Sequence, residues 1–138
     1  MFALNSYLYQ YLILMKKRVL IIENDQAIRH IVEYILQQQG LETLSIPEPD
    51  DLSKLLGFHA DLILLDEFIN SQPGHRLCRK IKNIPSLAAT PVIILSTAND
   101  IELIVKECEA NDHIRKPFDI TDLVDKVLRA VDHLPLAL

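Results

Sequence analysis

Leu62-Ile63-Leu64-Leu65-Asp66 is four large aliphatic side chains closed by a carboxylate, with Asp61 before it and Glu67 after it. The run is too short for an ordinary helix and lacks the alternation of a half-solvated strand. It therefore reads as a strand covered on both faces, as in parallel sheets flanked by helices. Ligands of open α/β sheets sit beyond the carboxyl ends of the strands, and Asp66 stands at such an end. A strand-ending Asp by itself serves just as well to cap a turn. Its meaning depends on what else reaches the same edge.

Working outward, Val19-Leu20-Ile21-Ile22 is a second aliphatic run and ends in Glu23-Asn24-Asp25. Val92-Ile93-Ile94-Leu95 is a third and ends in Ser96-Thr97. A short strand over 41–46 and another over 113–116, His113-Ile114-Arg115-Lys116 stopped by Pro117, complete a set of five. Between them the apolar spacing changes to that of helices. A helix over 26–39, capped by Asn24 or Asp25 and ended by Gly40, buries Ile28, Ile31, Val32, Ile35 and Leu36. Pro47-Glu48-Pro49-Asp50 introduces a short helix with Leu52, Leu55 and Leu56 that stops at Gly57.

After a polar turn over 70–74, the segment 75–82 turns Leu77, Cys78 and Ile81 inward and Arg76, Arg79, Lys80 and Lys82 to solvent. A helix over 101–109 buries Ile101, Ile104, Val105 and Cys108. The last helix, capped by Asp119, turns Ile120, Leu123, Val124, Val127, Leu128 and Val131 inward. Strict alternation of strand and helix predicts a doubly wound, five-stranded parallel α/β sheet with helices on both faces. Spacing alone does not decide the strand order. The flavodoxin-like order 2-1-3-4-5 would bring Glu23 and Asn24 beside Asp66, with Ser96 and Lys116 on its other side.

At 138 residues the chain has room for one core, and a formal charge of -5 with a pI near 5.4 lacks the basic footprint that grips nucleic acid. Cys78 and Cys108 show no metal-ligand spacing and fall on apolar helix faces, as reduced core residues in a cytoplasmic protein would. Residues 1–15 form an uncharged, apolar extension followed at once by Lys16-Lys17-Arg18. It is too short to span a bilayer and lacks the charge order and cleavage site of an export signal. The expected division is an extension over 1–15 and a domain over 16–138 with no output domain. Residues 1–14 read either as an upstream extension or as an apolar arm that packs on the domain or on a second copy, the last of which would make a homodimer.

Taken together, these residues resemble the receiver domain of two-component response regulators, over 18–132. Glu23-Asn24 matches the acidic pair after the first strand, and Asp66 the Asp after the third. Ser96 matches the Ser or Thr after the fourth, and Lys116-Pro117 the Lys-Pro after the fifth. Gly74 matches a helix-opening glycine and His113 the position of an aromatic switch residue. The resemblance implies a stand-alone, chemotaxis-regulator-like phosphoacceptor that is not an enzyme. Asp66 would take a phosphoryl group from a histidine kinase or phosphotransfer protein and signal to a downstream protein target, with no contact to nucleic acid or membrane.

It further implies Mg²⁺ held by Glu23, Asn24, Asp66 and the backbone carbonyl of Phe68, with Lys116 on a phosphoryl oxygen and Ser96 and His113 as switch residues. The chemistry agrees, since two carboxylates about 4 Å apart repel by roughly 4 kcal/mol at an effective dielectric of 20 and invite a cation. Asn24 replaces the usual second acid, Asn70 a common proline and Thr97 a smaller residue, and the stretch 96–116 is short. These departures keep open a second reading, a receiver-like adaptor that binds partners without phosphorylation. An Asp-nucleophile phosphatase would want an acid where Phe68 stands.

Overall fold

Helix-covered strands meet in a single parallel sheet in the computed structural model, which describes residues 6–8, 10, 16–69 and 72–132. In chain order the elements are β1 (Arg18–Ile22), α1 (Gln26–Gln38), β2 (Glu42–Ile46), α2 (Ser53–Leu56) and β3 (Leu62–Asp66). There follow β4 (Phe68–Ile69), β5 (Gln72–Pro73), α3 (Gly74–Lys82), β6 (Val92–Ser96), α4 (Ile101–Cys108), β7 (Asp112–Arg115) and α5 (Ile120–Asp132). The sheet order is β2-β1-β3-β6-β7, with every pair parallel. That is the expected 2-1-3-4-5 order of the five main strands. All five residues of β3 are buried, as a strand covered on both faces requires.

Because side chains alternate across a strand, the aliphatic runs feed two cores. Val19, Ile21, Leu62, Leu64, Ile93 and Leu95 pack with Val32 and Leu36 of α1 and Leu123, Val127 and Val131 of α5. Leu20, Ile22, Ile63, Leu65, Val92 and Ile94 pack on the other face with Leu55, Cys78, Ile81, Ile101 and Cys108. Both cysteines are buried and free.

Local chemistry sets the element ends. The Asp25 carboxylate accepts the Ile28 amide at 3.0 Å, so Asp25, not Asn24, caps α1. Gly40 takes φ 80 just past the helix, a backbone state only glycine enters without cost. At α5, Asp119 Oδ1 accepts from the amides of Thr121 at 2.7 Å and Asp122 at 3.2 Å. Helix α4 stops at Cys108 because Glu109 turns left-handed at φ 61.

Several expectations change. Ile31 and Ile120, assigned to buried stripes, are 54% and 59% exposed. Ile31 sits about 100° around the helix from Val32, and Ile120 opens α5 before its first buried residue. Strand β7 begins at Asp112 and leaves Lys116 just beyond its end. Part of the expected polar turn is a small hairpin, β4 with β5, pairing Phe68 with Pro73 and Ile69 with Gln72. Asn70 and most of the N-terminal extension lie outside the described residues. Of that extension, Tyr7 and Leu8 are exposed. Among the described residues no helix is long and apolar enough to cross a membrane.

Candidate functional site

Strand register assembles the site. Ile22 pairs with Leu65, so the residues that follow them, Glu23 and Asp66, leave adjacent strands at the same edge. Both carboxylates are withdrawn from water, at 1% and 7% exposure. Lys116 reaches them from beyond β7, past the intervening β6. Its Nζ lies 2.9 Å from Asp66 Oδ1 and 3.0 Å from Glu23 Oε2. The long aliphatic stem makes this span possible while the ammonium stays among acids.

The electrostatics follow from burial and from this shared cation. Burial pushes the Glu23 carboxyl above its ordinary value, and the hydrogen bond and charge of Lys116 recover only part of the shift. Burial would depress the Lys116 ammonium, but Asp66 and Glu23 outweigh it and hold the pKa above the usual lysine range. Lys116 is therefore cationic at neutral pH. Its two carboxylate contacts share one nitrogen, so their oxygens are at most about 6 Å apart and would repel by roughly 3 kcal/mol at an effective dielectric of 20.

Ser96 is buried at the end of β6, yet its hydroxyl does not turn to Asp66. It donates to Glu67 Oε2. Thr97 Oγ1 donates to Glu67 Oε1 at 2.9 Å, and the Ala98 amide donates to Ser96 Oγ at 2.8 Å. Burial alone would raise the Glu67 carboxyl, but the hydrogen bonds from Ser96, Thr97 and Ala98 together hold it below its ordinary value. Glu67 was not among the candidates read from the sequence. The clue was its position directly after Asp66. Asp66 pairs with Leu95, so the next residues, Glu67 and Ser96, are neighbours.

The remaining candidates are more dispersed. Asn24 is exposed just past Glu23, and Asp25 is committed to its helix cap. Phe68 opens β4 two residues beyond Asp66. His113 pairs with Ile94 on β7, its Nδ1 lies 3.9 Å from Asp112, and its carbonyl accepts from Lys126. Among the described residues, no hydrogen bond or ion pair ties its imidazole to Glu23, Asp66 or Glu67. The structure thus brings together Glu23, Asp66 and Lys116, and beside them Glu67, Ser96 and Thr97.

Comparison with known proteins matches residues 19–128 to the response regulator receiver domain. The transcriptional regulatory protein CseB of Streptomyces avermitilis is 36% identical over 118 residues, covering 82% of this chain and 48% of that protein. The transcriptional regulatory protein GltR of Pseudomonas aeruginosa is 30% identical over 114 residues, covering 80% of this chain and 47% of that protein. This chain thus spans about half the length of these relatives. Among solved structures, chemotaxis protein CheY4 of Vibrio cholerae superposes with a TM-score of 0.76 at 22% identity, over 83% of this chain and 98% of that one. At that identity the likeness speaks for the fold.

Proposed function

The chain belongs to the response regulator receiver domain family of two-component systems, and from that premise we propose that it accepts a phosphoryl group on Asp66 from a histidine kinase or phosphotransfer protein. The observation that carries this reading is the pairing of one buried carboxylate, Asp66, with a lysine ammonium at 2.9 Å beside a second acid. An Asp66 oxygen attacks the phosphorus of a phosphohistidine. The new O–P bond forms as the N–P bond breaks, and the electron pair of that bond stays with the donor imidazole. Such transfers pass through a loose transition state in which positioning and charge neutralisation supply most of the rate. Lys116 already points its charge at the acceptor oxygen and would hold a phosphoryl oxygen as negative charge builds there.

The donor set fits a hard divalent cation. Glu23 is buried, and among the described residues its Oε2 has no close partner other than the Lys116 ammonium at 3.0 Å. Among the described residues no three Asp, Glu, His or Cys side chains converge on a metal position. The proposed ligands are therefore Glu23, Asp66, the Asn24 amide oxygen and the Phe68 carbonyl, with water completing the shell, a mixture that suits Mg²⁺. Bound Mg²⁺ would offset phosphoryl charge during transfer. The chain acts as a phosphoacceptor and not as an enzyme on other substrates. Its output would pass to a downstream protein through the face that runs from the Ser96 loop along α4 to α5, with His113 on β7 within it. The free, buried thiols of Cys78 and Cys108 fit a cytoplasmic setting.

A second reading, an adaptor that binds partners without phosphorylation, is favoured by one observation: the Ser96 hydroxyl is already engaged by Glu67. Incubation with acetyl phosphate and Mg²⁺, followed by intact mass, separates the two. The expected result is one added phosphoryl group on the native chain, none on Asp66→Asn and none after chelation of the metal. Equal labelling of Asp66→Asn would place the acceptor elsewhere, and no labelling of the native chain would favour the adaptor.

A further inference from the structure

We infer that Glu67 is a positioning residue that competes with a phosphoryl group on Asp66 for the Ser96 hydroxyl, and so holds the loop between β6 and α4 in its unphosphorylated arrangement. The inference rests on the phosphoacceptor reading of Asp66 and adds a device to it.

A serine hydroxyl has one proton to donate. In Ser96 that proton goes to Glu67 Oε2, while its oxygen accepts from the Ala98 amide at 2.8 Å. The other Glu67 oxygen takes the Thr97 hydroxyl at 2.9 Å. One carboxylate thus grips two consecutive hydroxyls at the root of the loop that leads to Asp100, which precedes α4. Asp66 closes β3 and Glu67 stands at the bend that follows, and their side chains reach different partners. Asp66 meets Lys116, and Glu67 meets the hydroxyls. Lys116 is shared between Glu23 and Asp66, and among the described residues no ion pair reaches Glu67.

A phosphoryl group on Asp66 would bring a second anionic acceptor to the same neighbourhood. For Ser96 to donate to it, the bond to Glu67 must break, leaving a partly buried carboxylate short of a donor and facing added negative charge. Glu67 therefore opposes the rearrangement that phosphorylation drives. A side chain that served only to brace the loop would weaken the fold when removed, without tightening the hold on a phosphoryl analogue.

The test uses the full chain with beryllofluoride and Mg²⁺ as the phosphoryl analogue, read by calorimetry and by backbone NMR. Glu67→Gln keeps one acceptor and the size of the side chain but removes the charge, and Glu67→Ala removes both. Both should bind the analogue about tenfold tighter than the native chain, a change of the size expected when a charge-assisted competitor is lost. Without the analogue, the Thr97 and Ala98 amide signals of Glu67→Gln should move toward the positions they take in the bound native chain. In a Ser96→Ala background the gain from Glu67→Gln should shrink, because the contested proton is gone. Equal or weaker binding by a Glu67→Gln chain that melts normally would overturn the inference, as would a gain of the same size in both backgrounds. If acetyl phosphate labels Asp66 but Glu67 variants behave as native, the inference alone fails. If neither label nor analogue binds, the phosphoacceptor reading falls and takes it along.

Discussion

Asn24 and Asp25 show how much can turn on one side chain. An Asn offers a cation a neutral carbonyl where an Asp would offer a charge, and Asp25 is not placed to compensate because its Oδ1 holds the Ile28 amide at 3.0 Å. Adding an acid should tighten Mg²⁺ binding by Asn24→Asp by about tenfold, the equivalent of roughly 1.4 kcal/mol. Calorimetric titration checks it, and unchanged affinity would mean that residue 24 lies away from the metal. At this scale the sequence reading expects Glu23, Asp66 and Lys116 at one edge, and they meet there because strand ends in a parallel sheet bring their next residues together. It misjudges Ser96. The choice between Asp66 and Glu67 as its acceptor depends on which way two consecutive acids point, and that is decided by strand register and side-chain direction, not by residue type.

Among the elements, α1 is the best-defined case. Its start is secured by the Asp25 cap, its end by Gly40 at φ 80, and its packing by Val32 and Leu36. Removing the cap with Asp25→Ala leaves the first-turn amide without its side-chain acceptor and should lower stability by about 1 kcal/mol. Urea unfolding measures this, with the midpoint falling and the slope unchanged. A loss well below that figure would show that water replaces the carboxylate at little cost. Helix and strand periods make the five main strands and the α1, α3, α4 and α5 helices readable. The hairpin of β4 and β5 is not, since two-residue strands have no period. Ile31 is misassigned for a related reason: apolar character at a flanking position is compatible with either side of a helix stripe, and only the neighbouring elements decide whether it is covered.

For the whole molecule, strand order is what spacing leaves undecided and what the structure supplies. Any order of five parallel strands satisfies the alternation, but only one that sets β1 beside β3 puts Glu23 next to Asp66. Among the described residues, the same order leaves β2 and β7 as the outermost strands of the sheet, each with one side unpaired. These strands are written in a different alphabet from the aliphatic interior. Glu42 on β2 is exposed and paired with Arg18 at 3.1 Å, and β7 ends in the exposed Arg115. An open strand edge is a template for pairing with another chain, and charge placed there discourages it. The exposed pair itself adds at most about 1 kcal/mol to stability. Its larger effect is on solubility: Glu42→Val with Arg115→Val should melt within a few degrees of the native chain, yet scatter light and form thioflavin-binding fibrils on prolonged warming below the melting point. A double variant that stays clear would show that the rims resist self-assembly by shape and not by charge.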